Sequence, residues 1–313
     1  LTRFSPDQWA LVLGGSSGFG LATARKLASS GMSVAVVHRD RRGAMAAIDE
    51  HFDSIRKGGA TLVTYNLDAT APEGRESVLA SLAEKMGDRG RVRVLLHSIA
   101  FGNLKLLAPM PPGPSASAVA RTRLAGLLGV PEEKLVSAME ALAAESDVFA
   151  DLAVETRYDS DALLEEEDYA RTVHAMGTSL AVWAQALLAR KLFAADARVL
   201  GLTSEGNEVA WRGYAAVSAA KVALESVVRS MAVELAPHGV RSNVVQPGIT
   251  DTPALRLIPG SAHMKAAARR RNPFGRLTTP EDVADVVCLL CTDEARWING
   301  TIVRADGGEH VAG

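Results

Sequence analysis

The sequence predicts an α/β fold: a doubly wound parallel sheet in one domain, 1–313, with a helical insertion after the fourth strand at about 103–165. Three observations predict it. Short apolar runs alternate with amphipathic runs along most of the chain. A glycine-rich turn, Gly14 to Gly20, joins the first apolar run to the first amphipathic one. An Ala-rich run from Tyr214 to Leu235 ends at Pro237 and Gly239, an ordinary helix stop.

Composition narrows the function classes. The 313 residues are 48% hydrophobic with a formal net charge of −2, enough to bury a substantial core. That balance offers no electrostatic basis for holding nucleic acid or an acidic membrane surface, and neither is expected as a partner. No apolar run reaches the length of a membrane span. The first residues, Leu1 to Asp7, carry no hydrophobic signal core, so a cytoplasmic location is expected. Cys288 and Cys291 form a C-x-x-C with aliphatic flanks and no second ligand pair nearby. They are expected as buried core thiols, and no metal site is expected.

The elements follow in order. Trp9–Leu13 is a strand, Gly14 to Gly20 the turn, Leu21–Ser30 a helix closed by Gly31, and Ser33–Val37 a second strand. That is a βαβ unit. Its turn suits a diphosphate, because glycines permit close approach and the following helix start offers free N–H groups and a positive dipole end. Thr61–Thr64 is a strand, Glu73–Met86 a helix and Val92–His97 a strand. The rhythm then breaks. A Pro-rich stretch, Pro109 to Pro114, opens the insertion, which carries short helices at Ser117–Leu128 and Pro131–Glu145 and no core strand. The rhythm resumes with a helix at Glu166–Leu192, a strand at Arg198–Thr203, the Tyr214 helix and a strand at Arg241–Val245. A loop region, Gln246–Thr278, precedes a helix capped by Thr279 with Pro280 at its first position. Thr301–Arg304 is the last strand, and there is no internal repeat.

Tyr214 and Lys221 carry the chemistry. Seven residues at about 100° each come within roughly 20° of two full turns, so the pair shares a helix face. A cation beside a phenol favours phenolate, which predicts a lowered Tyr214 pKa and a proton donor.

With these motifs the chain resembles the short-chain dehydrogenase/reductases, everywhere but the insertion. Leu13 to Gly20 resembles the T-G-x-x-x-G-x-G turn of that family, with Leu13 replacing Thr. Asn243 to Thr252 resembles its N-x-x-x-P-G-x-x-x-T segment, and Asp306-Gly307-Gly308 its D-G-G. The fold implied is Rossmann-type. Two features resemble the divergent enoyl-thioester reductase branch. His97-Ser98-Ile99-Ala100-Phe101-Gly102 is similar to that branch's H-S-I-A/G-F segment. The main branch places its Tyr four residues before the Lys, where this chain has Val217; here the Tyr is seven before, as in the enoyl reductases. The phenol thereby moves one turn, about 4.5 Å, from the ribose end. That offset suits conjugate reduction, in which hydride goes to Cβ and charge develops on the thioester oxygen. One position departs from the branch: Ser204 stands where a second Tyr is common, and where the main branch keeps its catalytic Ser.

The resemblance implies roles for individual residues. Gly14, Ser16, Ser17, Gly18, Phe19 and Gly20 would cradle a dinucleotide diphosphate. Asp68 would meet the adenine, and Ala69, Ser98, Ile99 and Ala100 would also contact the dinucleotide. Lys221 would hold the nicotinamide ribose, and Ile249 and Thr252 the carboxamide and neighbouring phosphate. Tyr214, Lys221 and Ser204 are the catalytic candidates, and Gly102 and Met264 the substrate contacts. At the end of the second strand stand His38 and Arg39, with Arg41 and Arg42 close and Asp40 adjacent. A guanidinium suits a 2′-phosphate, so the expected cofactor is NADPH, with NADH the less favoured alternative. The stretch 253–278 lies where the family keeps its substrate loop. Its Arg269-Arg270-Arg271 run reads as a solvated helix face, or as a site for the phosphate of a carrier-protein or coenzyme A arm. The insertion should adjoin the same opening. A homotetramer is what the resemblance implies. The activity expected is reduction of an enoyl thioester, a small-molecule or carrier-bound acyl substrate. A carbonyl reductase using Ser204 and Tyr214 is one alternative, and a non-catalytic nicotinamide-binding protein another.

Overall fold

Among the residues described by the computed structural model (4–145, 156, 158, 159 and 161–312), seven strands form one parallel sheet. They are β1 (Gln8–Leu13), β2 (Ser33–His38), β3 (Leu62–Asn66), β4 (Arg91–His97), β5 (Phe193–Leu202), β6 (Val240–Pro247) and β7 (Ile302–Ala305). Their order is β3-β2-β1-β4-β5-β6-β7. The order reverses between β1 and β4, which opens a crevice beyond the carboxyl ends of those strands.

Helices cover both faces, so the central strands read as apolar runs rather than alternating ones. On one face Leu11, Leu13, Leu95 and Val199 pack against α3 (Pro72–Met86), α7 (Ser179–Ala189) and α8 (Ala215–Glu234). On the other, Ala10, Val12, Val36 and Val245 pack against α1 (Gly18–Ser29), α2 (Met45–Lys57) and α11 (Pro280–Leu290). β4 and β5 each bury a cation. Arg198 donates to the carbonyls of Leu290 and Thr292 at 3.0 and 3.1 Å, and Arg93 to Cys291 at 3.1 Å. These carbonyls lie at and just beyond the end of α11, where the helix dipole favours positive charge. Asp196 pairs with both arginines and with Arg241, and Asp293 also pairs with Arg93.

Several sequence expectations are corrected. The α2 helix was not foreseen. The expected helix over Glu166–Leu192 is α6 (Glu166–Val173), a π-helical turn (His174–Thr178) and α7. Within that turn Gly177 meets α8 so closely that a Cβ would lie 2.8 Å from the Ala220 carbonyl. The expected loop after β6 holds two helices, α9 (Pro253–Arg256) and α10 (Ser261–Arg271). The insertion carries α4 (Ala116–Leu128) and α5 (Glu132–Glu145); its stretches 146–155, 157 and 160 lie outside the described residues. Cys291 is fully buried, and burial pushes its thiol up to about 12, whereas Cys288 is half-buried. No described helix is long and apolar enough to cross a membrane.

Candidate active site

A cavity of about 550 Å³ opens in the crevice beyond the strands. The glycine turn forms one wall. Gly14 has φ of +84°, and a Cβ there would come 2.6 Å from the Ser98 carbonyl; Gly18 has φ of +51°. Ser16, Ser17 and Phe19 line the same wall. Ser17 caps α1 without a side-chain hydrogen bond, and first-turn amides have no partner within a helix. The turn therefore fits a diphosphate, both in the space left by missing Cβ atoms and in its donors. Gly20 lies beneath the wall instead. A Cβ there would overlap the Gly14 carbonyl, so this glycine permits the turn to close rather than lining the cavity.

The far end is polar. Arg39 lines it, its Nη1 donating to Asp68 at 2.7 Å and its guanidinium 4.4 Å from the centre of the Phe101 ring. Burial opposes ionisation of Asp68, but donors from Thr70 and Arg39 outweigh it and hold the carboxyl below its ordinary range. Asp40 also lines the cavity, with Oδ2 2.8 Å from Nδ1 of the buried His38. Arg41 and Arg42 are exposed and lie outside the cavity lining. Phe101, 46% exposed and over Arg39, was missed as a site residue, although it stands within the segment His97 to Gly102.

Ser204, Tyr214, Lys221, Ser98, Ile99, Ala100, Ala69, Gly102, Ile249, Thr252 and Met264 all line this cavity, and Thr252 lies beside the glycine turn, its Cγ2 3.4 Å from where a Cβ on Gly18 would stand. Tyr214 caps α8 with φ of −112° and ψ of 1°, just outside the helix. Its hydroxyl lies 3.4 Å from Ser204 Oγ. Burial pushes the Tyr214 pKa up, and the Ser204 hydrogen bond only partly offsets it. The expected lowering by Lys221 is thus corrected: burial prevails, and the group is a phenol at neutral pH. Lys221 Nζ donates to the Leu202 carbonyl at 2.8 Å. Burial brings its pKa down to about 8, against the attraction of Glu225. Glu225 is itself buried, accepting from Thr203 Oγ1 and, at 2.6 Å, from Asn207 Nδ2. His97, with Nε2 2.8 Å from Ser179 Oγ, is fully buried and pushed down to about 3, chiefly by burial and then by the Lys221 charge.

Residues the sequence reading missed hold this arrangement in place. The Tyr214 ring sits between Gly206, where a Cβ would overlap its Cε1, and Trp211, whose ring centre is 5.4 Å away, edge-on. No motif marks Gly206; Glu225 shows in the sequence only as an acid one turn beyond Lys221 on an apolar face. Arg271 is corrected from both earlier readings, a solvated helix face and a phosphate site. Its Nη2 donates to Glu205 at 2.7 Å and to Glu309 at 3.0 Å. Glu309 is 1% exposed and accepts from the Ile249 amide at 3.1 Å. Arg271 therefore ties the end of α10 to the residue beside Ser204 and, through Glu309, to Ile249.

Comparison with known proteins identifies the lineage. A family model described as Enoyl-(Acyl carrier protein) reductase matches residues 133–310, and one described as short chain dehydrogenase matches residues 8–111. The chain belongs to the short-chain dehydrogenase/reductase superfamily. It is an NAD(P)-dependent oxidoreductase, which sets aside the non-catalytic alternative. The chain is 38% identical over 115 residues to Enoyl-[acyl-carrier-protein] reductase [NADH] FabI of Aquifex aeolicus, a match covering 37% of this chain and 43% of that enzyme. It is 28% identical over 302 residues to cis-4-hydroxycyclohexanecarboxylate dehydrogenase of Sinomonas cyclohexanicum, covering 96% of each. A short chain dehydrogenase from Burkholderia cenocepacia, crystallised with NADP, shares the fold with a TM-score of 0.67 at 22% identity, covering 97% of this chain and 98% of that one.

Proposed function

We propose that the reductase uses NADPH to saturate the C=C bond of an enoyl thioester. The observation that carries this reading is the offset of its proton donor. Val217, apolar and 4% exposed, lines the cavity at the helical position nearer Lys221, while the Tyr214 hydroxyl enters a turn earlier. An oxygen bonded to Tyr214 is therefore displaced from the Lys221 end, as the thioester oxygen of a conjugated substrate is displaced from its reacting Cβ.

The dinucleotide, when bound, supplies hydride. The glycine turn and the start of α1 hold its diphosphate, and Lys221 meets the nicotinamide ribose. Ile249 and Thr252 approach its carboxamide side. Arg39 offers a guanidinium for a 2′-phosphate, while Asp40 is engaged with His38. This supports NADPH over NADH. Tyr214, held as a phenol, donates a hydrogen bond to the oxygen on which charge develops. Ser204 positions that hydroxyl. The enolate then takes a proton from solvent at Cα, which completes saturation. Met264 and Gly102 border the acyl group.

A specific observation favours a second reading. Ser204 and Tyr214, 3.4 Å apart, also form a hydroxyl pair able to address one ketone oxygen, with Tyr214 giving up its proton. The relative aligned over 96% of its length is named as a hydroxy-acid dehydrogenase. NADPH oxidation with a crotonyl thioester, an acetoacetyl thioester and simple ketones separates the readings. Turnover of the crotonyl thioester is expected; activity confined to the ketones would replace the first reading with the second. Family resemblance supports a homotetramer, which sedimentation would test.

A further inference from the structure

A second cavity, about 620 Å³, lies between the insertion and the substrate loop. Trp211, Ile258 and Met264 line both cavities, so the second continues from the space where Tyr214 acts. Its walls include Leu124 of α4, Met139 of α5 and Pro259. Set among these are Arg121, Arg212 and His263, and no described carboxylate lines it.

Arg121 is the informative member. It is half-buried, and its Nε is shut off from solvent with no hydrogen-bond partner. An unsatisfied buried donor is costly, and one on a cation more so. What sets Arg121 apart from Arg25, Arg93 and Arg271, whose Nε atoms are in the same state, is its place in the wall of this cavity. Arg212 directs one N–H to the Met110 thioether at 3.0 Å, a weak acceptor. Both arginines therefore retain donors for a ligand.

We propose that this second cavity recognises an anionic group, carboxylate or phosphate, on the far end of the substrate, with Arg121 as its main ligand. The proposal rests on the reading that the Tyr214 cavity reduces an acyl or carbonyl group. An apolar spacer would cross Trp211, Ile258 and Met264, and the anion would meet Arg121, with Arg212 and His263 flanking. The insertion then sets substrate specificity by charge as well as by shape.

Two matched pairs test it, each read as the ratio of kcat/KM for the anionic and neutral members. Crotonyl-coenzyme A against crotonyl-N-acetylcysteamine thioester reads a phosphate. Levulinate against its methyl ester reads a carboxylate. The wild type is expected to favour the anionic member of one pair by about tenfold or more. Arg121→Gln should bring that ratio close to one, mainly through KM, and Arg121→Lys should recover part of it. Whichever pair responds names the source of the anion. Quenching of Trp211 fluorescence, referenced to Trp211→Phe, reports binding without turnover. Anion-selective binding that Arg121→Gln abolishes, in the absence of reduction, would sink the proposed activity and uphold the pocket. Ratios near one in the wild type, or ratios that Arg121→Gln leaves unchanged, would overturn the pocket while the activity stands.

Discussion

Gly206 backs onto the ring of Tyr214 so closely that a Cβ there would overlap Cε1. The glycine sits two residues beyond Ser204, in a turn (Glu205–Asn207) that also delivers Asn207 to Glu225. Packing, rather than the helix, thus aims the phenol. Gly206→Ala should push the ring off its position and lower turnover about 10- to 100-fold, because small misplacements of a catalytic group are costly. Dinucleotide affinity should hold. Steady-state rates with an equilibrium titration check both, and an alanine enzyme with full turnover would show that the ring is not held this way.

Tyr214→Phe keeps the ring and removes the donor. Turnover should fall about 100-fold or more, within the range of general acid contributions, with NADPH affinity nearly intact. Ser204→Ala should cost less for an enoyl thioester than for a ketone, since only the ketone needs a proton delivered through the pair. Pre-steady-state reduction of both substrates measures the difference.

Lys221 predicts a pH dependence. Its ordinary value of 10.5 is brought to about 8 by burial. Between those values the unfolded chain keeps a proton that the folded chain has lost, so stability rises with pH across that window. Below it, the cost of burying the ammonium is fully present. Binding runs the other way: the ribose contact weakens as the ammonium is lost, so the NADPH Kd should rise above about pH 8. Glu225 raises the Lys221 pKa, so Glu225→Gln should move that midpoint to lower pH, and Lys221→Met should remove it. Fluorescence titrations across pH give the midpoints.

Arg271 holds two buried carboxylates, Glu205 and Glu309. Arg271→Met leaves both without their cation. Breaking a fully buried pair costs about 3–5 kcal/mol; partial exposure of the arginine reduces this to roughly 2 kcal/mol. Thermal melts should show the loss. Adding Glu309→Gln should recover part of it, because the amide still accepts from Ile249 without carrying a charge.

Much of this was legible in order along the chain. The turn at Gly14 reads directly, because positive φ and close approach are demands on single residues. The central strands read as apolar runs, because both faces of the sheet are covered. Ser204, Tyr214 and Lys221 stand at spacings that place them in one cavity. The break at Gly177 and the packing role of Gly206 were not legible, since each depends on what another element brings against it. The same holds for the direction of the Tyr214 shift: spacing suggested a neighbouring cation, whereas burial raises the pKa and the Ser204 hydrogen bond opposes it.

By itself the sequence determined the seven strands, the glycine turn and the spacing that brings Tyr214 and Lys221 to one cavity. Those follow from φ preferences, apolar period and spacing within a few residues. Only the tertiary structure decided how those groups are charged and held. Arg271 and Glu205 lie 66 residues apart in sequence, and Arg271 and Glu309 lie 38 apart. Desolvation and ion pairing depend on which distant surfaces meet, and no local pattern records that.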